Sequence, residues 1–309
     1  MPEQGYDYFT DSKTGELYAV RRSTGEVTPA VSIVAPVGFS FMTPEQQEAA
    51  QRRKDGLLKK LEQEERKRFR NENLKELGKY YFFAACKDFA GLSDAAVARL
   101  VFLATFLSLD SGQLFKTERT PLMLDDLPGL MGMHRKTVNA FLDEAKDYIF
   151  ADNDGGLFMI SNVFTRGKLP KGQHTAMQRL YRDSIRNLYR NTPVSKHRLL
   201  GIVFRLLPYV NQEYNILCYN PGEECIDDLD LLSLDDFCKL IGHDLLKKYR
   251  LRAELKKITF DVNGKRELFC NFVDAGMGTK HIRIFVNPHI MYNGSDYKKV
   301  EVLGKFCEL

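Results

Sequence analysis

Residues Leu124 to Phe150 read LDDLPGLMGMHRKTVNAFLDEAKDYIF, and residues Leu234 to Phe260 read LDDFCKLIGHDLLKKYRLRAELKKITF. The offset is 110 throughout with no gap, and 8 of 27 positions are identical (Leu124, Asp125, Asp126, Leu130, Gly132, Glu144, Lys146, Phe150 and their partners). A self-match of this length at a fixed offset marks one structural unit used twice. Each copy reads as a helix, a tight turn at a glycine, a second helix and then a strand.

The flanks of the two copies agree in order. Ser93 can cap an apolar helix through Val97, Leu100, Val101, Ala104 and Leu107, and Tyr148–Phe150 with Leu157–Ile160 bracket a turn at Asn153–Gly156. In the second copy Leu199–Leu207 supplies the leading helix, and Leu268–Val273 with Ile282–Val286 supply a longer hairpin. Helix, helix, helix, hairpin is the winged-helix plan. The expected fold is mainly α with small β wings (α+β): two winged helix-turn-helix domains joined by a basic linker helix, with an N-terminal arm and a long helix. The expected boundaries are 1–42 for the arm with short strands, 43–88 for the long charged helix and 89–169 for the first winged-helix domain. They continue with 170–192 for the linker helix, 193–296 for the second domain and 297–309 for a tail. In the arm, two Thr-Gly-Glu turns between apolar pairs signal a hairpin, and Thr43, Pro44 and Gln46 form the start signal of the long helix.

Net charge is only +4, but it is segregated. Thr165–Arg198 holds nine Lys or Arg and one acid, whereas Glu223–Asp236 holds seven acids and no base. Within the basic segment Arg179, Arg182, Arg186 and Arg190 are spaced 3, 4 and 4, which on one helix would stack four guanidiniums on a single face. The apolar stretches are too short to span a bilayer and no secretory leader is present, so a cytoplasmic protein without membrane contact is expected. Six cysteines without Cys-x-x-Cys pairs read as buried or free thiols. There is no phosphate-binding Gly-Lys-Ser/Thr loop, no nucleophile elbow and no paired metal-binding histidines; no enzyme, cofactor or metal is expected. His134 and His243, at the inter-helix turns, read as capping residues.

A helix-turn-helix places the start of its second helix in the DNA major groove, where Asn can read adenine and Arg guanine. In the first copy a buried stripe through Val138, Phe141, Leu142 and Ala145 turns Lys136 and Asn139 outward, with Arg135 beside them. In the second, a stripe through Leu251, Leu255 and Ile258 is expected to send Tyr249, Arg252 and Lys256 outward, with Lys247 and Lys248 at the helix start. The hairpin tip offers Lys280 and Arg283 to phosphate or the minor groove, and the linker arginines would track the backbone. In the gapless alignment buried Val138 and Leu142 face Lys248 and Arg252, so the two helices are expected to differ in chemistry or phase.

A tandem winged-helix chain with a basic linker resembles the replication initiators of plasmids and phages that bind origins without cutting DNA. Residues Ile282 to Ser295, IRIFVNPHIMYNGS, are similar to the closing strand of RepL-type plasmid replication proteins, and His197 to Pro221, HRLLGIVFRLLPYVNQEYNILCYNP, looks like their matching segment. The resemblance covers about residues 90 to 295. It implies origin recognition, DNA distortion and recruitment of a host replication helicase or its loader. A homodimer through the N-terminal helix is a further expected assembly. Two alternatives stay open: a phage or plasmid transcriptional regulator (repressor) with two DNA-reading heads, and a protein-interaction module that binds no DNA.

Overall fold

The computed structural model describes residues 6–11, 14, 16–29, 44–84, 89, 91–109, 111–160, 163–167, 177–274, 282–294 and 296–306, and the chain divides into two units, Met1–Glu64 and Glu65–Leu309. The first unit opens with strands β1 (Tyr6–Thr10), β2 (Leu17–Arg21) and β3 (Val27–Pro29), joined as an antiparallel meander in the order β1-β2-β3. Its second turn uses Gly25 at φ 71°, and Arg22 ties back to Asp7 at 2.7 Å. This is one strand more than the turn signals foretold. Helix α1 (Pro44–Leu77) begins in this unit and ends in the next. Thr43, its expected cap, lies outside the described residues. Leu57, Leu58 and Leu61 stand exposed on it.

After the end of α1 the larger unit continues with β4 (Tyr80–Ala84) and α2 (Asp94–Ala104). Ser93 caps α2 by accepting from the Ala96 amide at 3.3 Å, and from Ala96 to Ala104 all but Arg99 are buried. A short bridge strand follows, then a 3-10 turn, α3 (Leu127–Met131) and α4 (Arg135–Glu144). Hairpin β5 (Ile149–Ala151) and β6 (Leu157–Met159) closes this copy; Gln113 bridges Phe158, and the Leu114 amide donates to the Leu157 carbonyl at 2.8 Å.

After β7 (Phe164–Thr165) come β8 (Met177–Tyr181) and α5 (Arg182–Asn191). Helix α6 (His197–Arg205) leads the second copy, with α7 (Leu234–Leu240) and α8 (Lys248–Leu255) as its helix pair. An extra hairpin, β9 (Thr259–Val262) and β10 (Lys265–Leu268), turns at Asn263 and Gly264, both at positive φ, the pairing that a two-residue hairpin turn demands. Strands β11 (Cys270–Asp274) and β12 (Ile282–Val286) then pair as the sequence suggested, and Ile216 bridges Phe285 as Gln113 bridges Phe158. Helix α9 (Tyr297–Gly304) stands where a loose tail was expected; the Asp296 carboxylate caps it, accepting from Lys298 at 3.1 Å.

The repeat is visible in small details. Gly132 and Gly242, partners in the alignment, end α3 and the turn after α7 at φ 64° and 65°, the left-handed conformation that favours glycine. Asp126 and Asp236, also partners, each accept a backbone amide from three residues upstream, Met123 at 3.1 Å and Ser233 at 3.2 Å. The Lys116 ammonium on Asp126 and the Ser233 hydroxyl on Asp236, with these backbone bonds, hold both carboxyls below their usual range. The equivalence stops at the strands. Phe150 is half exposed on β5, whereas its partner Phe260 is buried on β9.

One apolar core runs through both copies, because α2 and α6 pack directly on each other. Gly201 makes that approach: a Cβ there would sit inside van der Waals contact of the Asp94 backbone. Arg205 clamps the same crossing, reaching Asp94 at 2.7 Å, the Phe89 carbonyl at 3.2 Å and the Leu92 carbonyl. A second tie is a sheet in the order β7-β4-β8. Beyond β8 the Tyr181 amide donates to the Ile290 carbonyl at 2.9 Å, bringing in the segment after β12.

Here the expected linker helix is corrected. Arg179 lies on strand β8, not on a helix, because Met177, Gln178, Leu180 and Tyr181 bury both faces of that strand. Only Arg182, Arg186 and Arg190 share a helix, α5.

Candidate nucleic-acid interface

Of the expected stripe, Val138 and Phe141 are buried on α4 and Ala145 just beyond it, whereas Leu142 is only partly buried against the core. Arg135, Lys136 and Asn139 are exposed on the opposite face. Arg135 is tied to Asp125 at 2.7 Å, a solvent-exposed pair that costs little to release. His134 occupies the cap position but its side chain makes no capping bond.

In α8 Leu251 and Leu255 are buried, as expected, and Tyr249 is 57% exposed. Arg252 and Lys256 depart from the expectation. The Arg252 side chain is only 18% exposed and is held by Asp274 at 3.0 Å and the Phe272 carbonyl at 3.3 Å. Lys256 is half buried, and burial lowers its pKa. Lys248 is likewise turned in, onto Asp235 at 2.7 Å. The reason lies in the repeat itself: Lys248 and Arg252 align with inward Val138 and Leu142. The helices share a phase, and the second copy fills two flank positions with bases whose charges Asp235 and Asp274 compensate. The solvent face of α8 therefore carries Tyr249, Arg250 and Ala253, with Lys247 just before it, paired to Asp244 at 3.5 Å. Arg250 was missed; extending the α4 phase across the alignment, instead of reading α8 alone, would have found it. The cap of this turn is Asp244, which accepts from Leu246 at 2.9 Å, not His243.

The arginine segment serves a different purpose from the one its spacing suggests. Arg182 Nε donates to the Thr105 carbonyl at 2.5 Å, and Arg186 Nη2 donates to the same oxygen at 2.8 Å. Arg186 Nε also reaches the Thr105 hydroxyl at 2.9 Å, and its guanidinium lies 3.9 Å from the Phe106 ring centroid. Thr105 is the C-cap of α2, so two guanidiniums satisfy a helix C-terminus where carbonyls lack partners. Burial, chiefly, lowers both pKa values, that of Arg182 to about 10. Arg179 faces Asn293, with its amide 2.8 Å from Asn293 Oδ1. The four guanidiniums thus do not form one solvent stripe; Arg190, with Lys196 and Arg198 beyond it, is exposed.

On the hairpin β11–β12, Arg283 is half exposed; Lys280 and the rest of the tip, 275–281, lie outside the described residues. Burial pushes the Cys218 thiol up to about 11 and the Cys270 thiol up to about 12. No helix among the described residues is long and apolar enough to cross a membrane. Comparison with known proteins returns no matching family model, no matching curated sequence and no matching solved structure.

Proposed function

We propose that the chain is a sequence-specific double-stranded DNA-binding protein whose two winged helix-turn-helix units read one duplex, and that it starts plasmid or phage replication by binding an origin without cutting it. The observation that carries the reading is the shared phase of α4 and α8. Each follows a left-handed glycine turn, buries one apolar stripe and leaves a polar solvent face: Arg135, Lys136 and Asn139 on α4, and Tyr249 and Arg250 on α8 with Lys247 just before it. In such a helix the bases neutralise phosphates, and Asn139 or Arg250 can meet base edges. Arg190 and Arg283 are further backbone contacts. Arg179, Arg182 and Arg186 are withdrawn from the interface, and Arg252, Lys248 and Lys256 become supports of the second reader.

Partners beyond DNA follow from the same reading: a host replication helicase or its loader, and a second copy meeting the exposed Leu57, Leu58 and Leu61 of α1. A regulator that binds promoters would use the same surfaces. Fragments selected from the molecule that encodes the chain separate origin from promoter by position. Fluorescence anisotropy on a labelled duplex across a salt series tests the binding itself. Several phosphate contacts give a log–log slope of about −0.9 per contact, whereas salt-independent binding, or none, contradicts the proposal.

A protein-contact reading has one observation in its favour. Leu245 and Leu246, at the entry to α8, are 40% and 92% exposed, more apolar surface than phosphate contact uses. Substituting both with Ser separates the readings, since a DNA reader keeps most of its salt-dependent affinity and a protein-docking face loses its partner.

A further inference from the structure

Away from the readers, three side chains from three separate elements converge. Glu267 comes from β10, His289 from the turn after β12, and Glu301 from α9. One donor atom from each lies within 4.8 Å of the other two. His289 Nε2 is 2.8 Å from Glu301 Oε1, and the His289 side chain is only 7% exposed.

Glu267 is the informative member. It is 6% exposed, yet no Lys, Arg or His among the described residues forms an ion pair with it. Among the described residues its carboxylate accepts one hydrogen bond, from the neutral Asn287 amide, at 2.9 Å to Oε2. A buried carboxylate without a counter-charge is costly, and the usual remedies are a proton, a cationic side chain or a metal ion. A divalent cation balances this cluster, since two carboxylates, a neutral imidazole and a divalent cation sum to zero, and the three donors converge from three elements. Asn287 completes the arrangement as an outer partner. Its Nδ2 orients Glu267 while its Oδ1 accepts the His289 amide at 2.9 Å, the kind of support that fixes ligands around a metal.

We propose that Glu267, His289 and Glu301 bind a divalent transition-metal cation of the zinc class. An imidazole beside two carboxylates suits such an ion better than magnesium or calcium, which take oxygen ligands. Bonds of about 2.1 Å to each donor require the His289–Glu301 pair, now 2.8 Å apart, to open around the ion and Glu267 to draw in. Because the ligands come from β10, the β12 turn and α9, the ion staples the last helix to the strands beneath it. It adds to the buried Tyr297, Val300 and Phe306, to the Leu268 amide on the Phe306 carbonyl at 2.9 Å, and to Asn271 Nδ2, which donates to the Gly304 and Lys305 carbonyls at 2.9 and 3.0 Å. The site is independent of the DNA reading.

The full chain, stripped with chelator and dialysed, is titrated with zinc by calorimetry, and amide hydrogen exchange in α9 is followed with and without the metal. One equivalent is expected to bind, with slowed exchange in α9. Glu267→Gln and Glu301→Gln should each raise Kd by about tenfold or more, and Cys225→Ser, a control for the exposed thiol, should leave it unchanged. Glu301 is half exposed on its helix, so its variant keeps the test valid even if Glu267→Gln fails to fold. No uptake, uptake that Glu301→Gln leaves intact, or uptake that Cys225→Ser removes would overturn the proposal.

Discussion

Gly201 meets the Asp94 backbone, not a side chain that could swing away, so nothing at the α2–α6 crossing can yield to an added methyl. Gly201→Ala should therefore destabilise the larger unit by about 3 kcal/mol, the upper end for overpacking, measured as a lower urea midpoint. His197 gives a pH signature at the same scale. Its Nε2–H donates to the Thr192 carbonyl at 3.1 Å, its Nδ1 finds no partner among the described residues, and Tyr189 lies 4.1 Å from its ring. Burial, with Arg99 adding to it, pulls its pKa down to about 4. Above about pH 6.5 the ring is neutral in both states and carries no penalty. As pH falls from there to about 4, the unfolded chain takes a proton that the native state refuses. Stability should drop by up to about 1.4 kcal/mol per pH unit in that window, and His197→Phe should show a shallower acid limb. Equal limbs in the two proteins would count against a neutral buried imidazole.

At the scale of elements, α5 and the helices α4 and α8 carry separable roles on the proposed function. Arg186→Ala removes a helix cap and an aromatic contact. It should cost stability, about 2 kcal/mol for bonds to a charged group, while Arg190→Ala should leave stability unchanged and weaken DNA binding. The reverse pattern would restore the solvent-stripe reading of these arginines. On the readers, Lys136→Ala and Arg250→Ala should each lower the magnitude of the salt slope by about 1, and Asn139→Ala should relax base preference instead. The helix order, the glycine turns and the α4 face were legible in the sequence, since apolar period and glycine punctuation are local signals. The direction of Arg252 was not, because its fate depends on Asp274, twenty-two residues on, being close enough to hold it at 3.0 Å. The β8 strand was hidden for a similar reason. The 3-4-4 arginine spacing imitates a helix, while the hydrogen bonds that make it a strand come from β4, nearly a hundred residues earlier. The Glu267–His289–Glu301 cluster left no spacing motif, since its members meet only through the fold.

Across the whole larger unit, both copies share one core through α2, α6 and the sheet of β7, β4 and β8. Helices α4 and α8, built on one core, cannot reorient freely, so on the proposed function their DNA sites should have a fixed separation and an asymmetric sequence, matching their unlike faces. Gly201→Ala should then loosen that separation before either reader loses its own contacts. Nuclease protection on fragments selected from the encoding molecule is the most direct check. Two protected patches on one face of the duplex, about 10 base pairs apart and lost singly in Lys136→Ala and Arg250→Ala, are the predicted result; a single protected half-site, or protection indifferent to both substitutions, would contradict it.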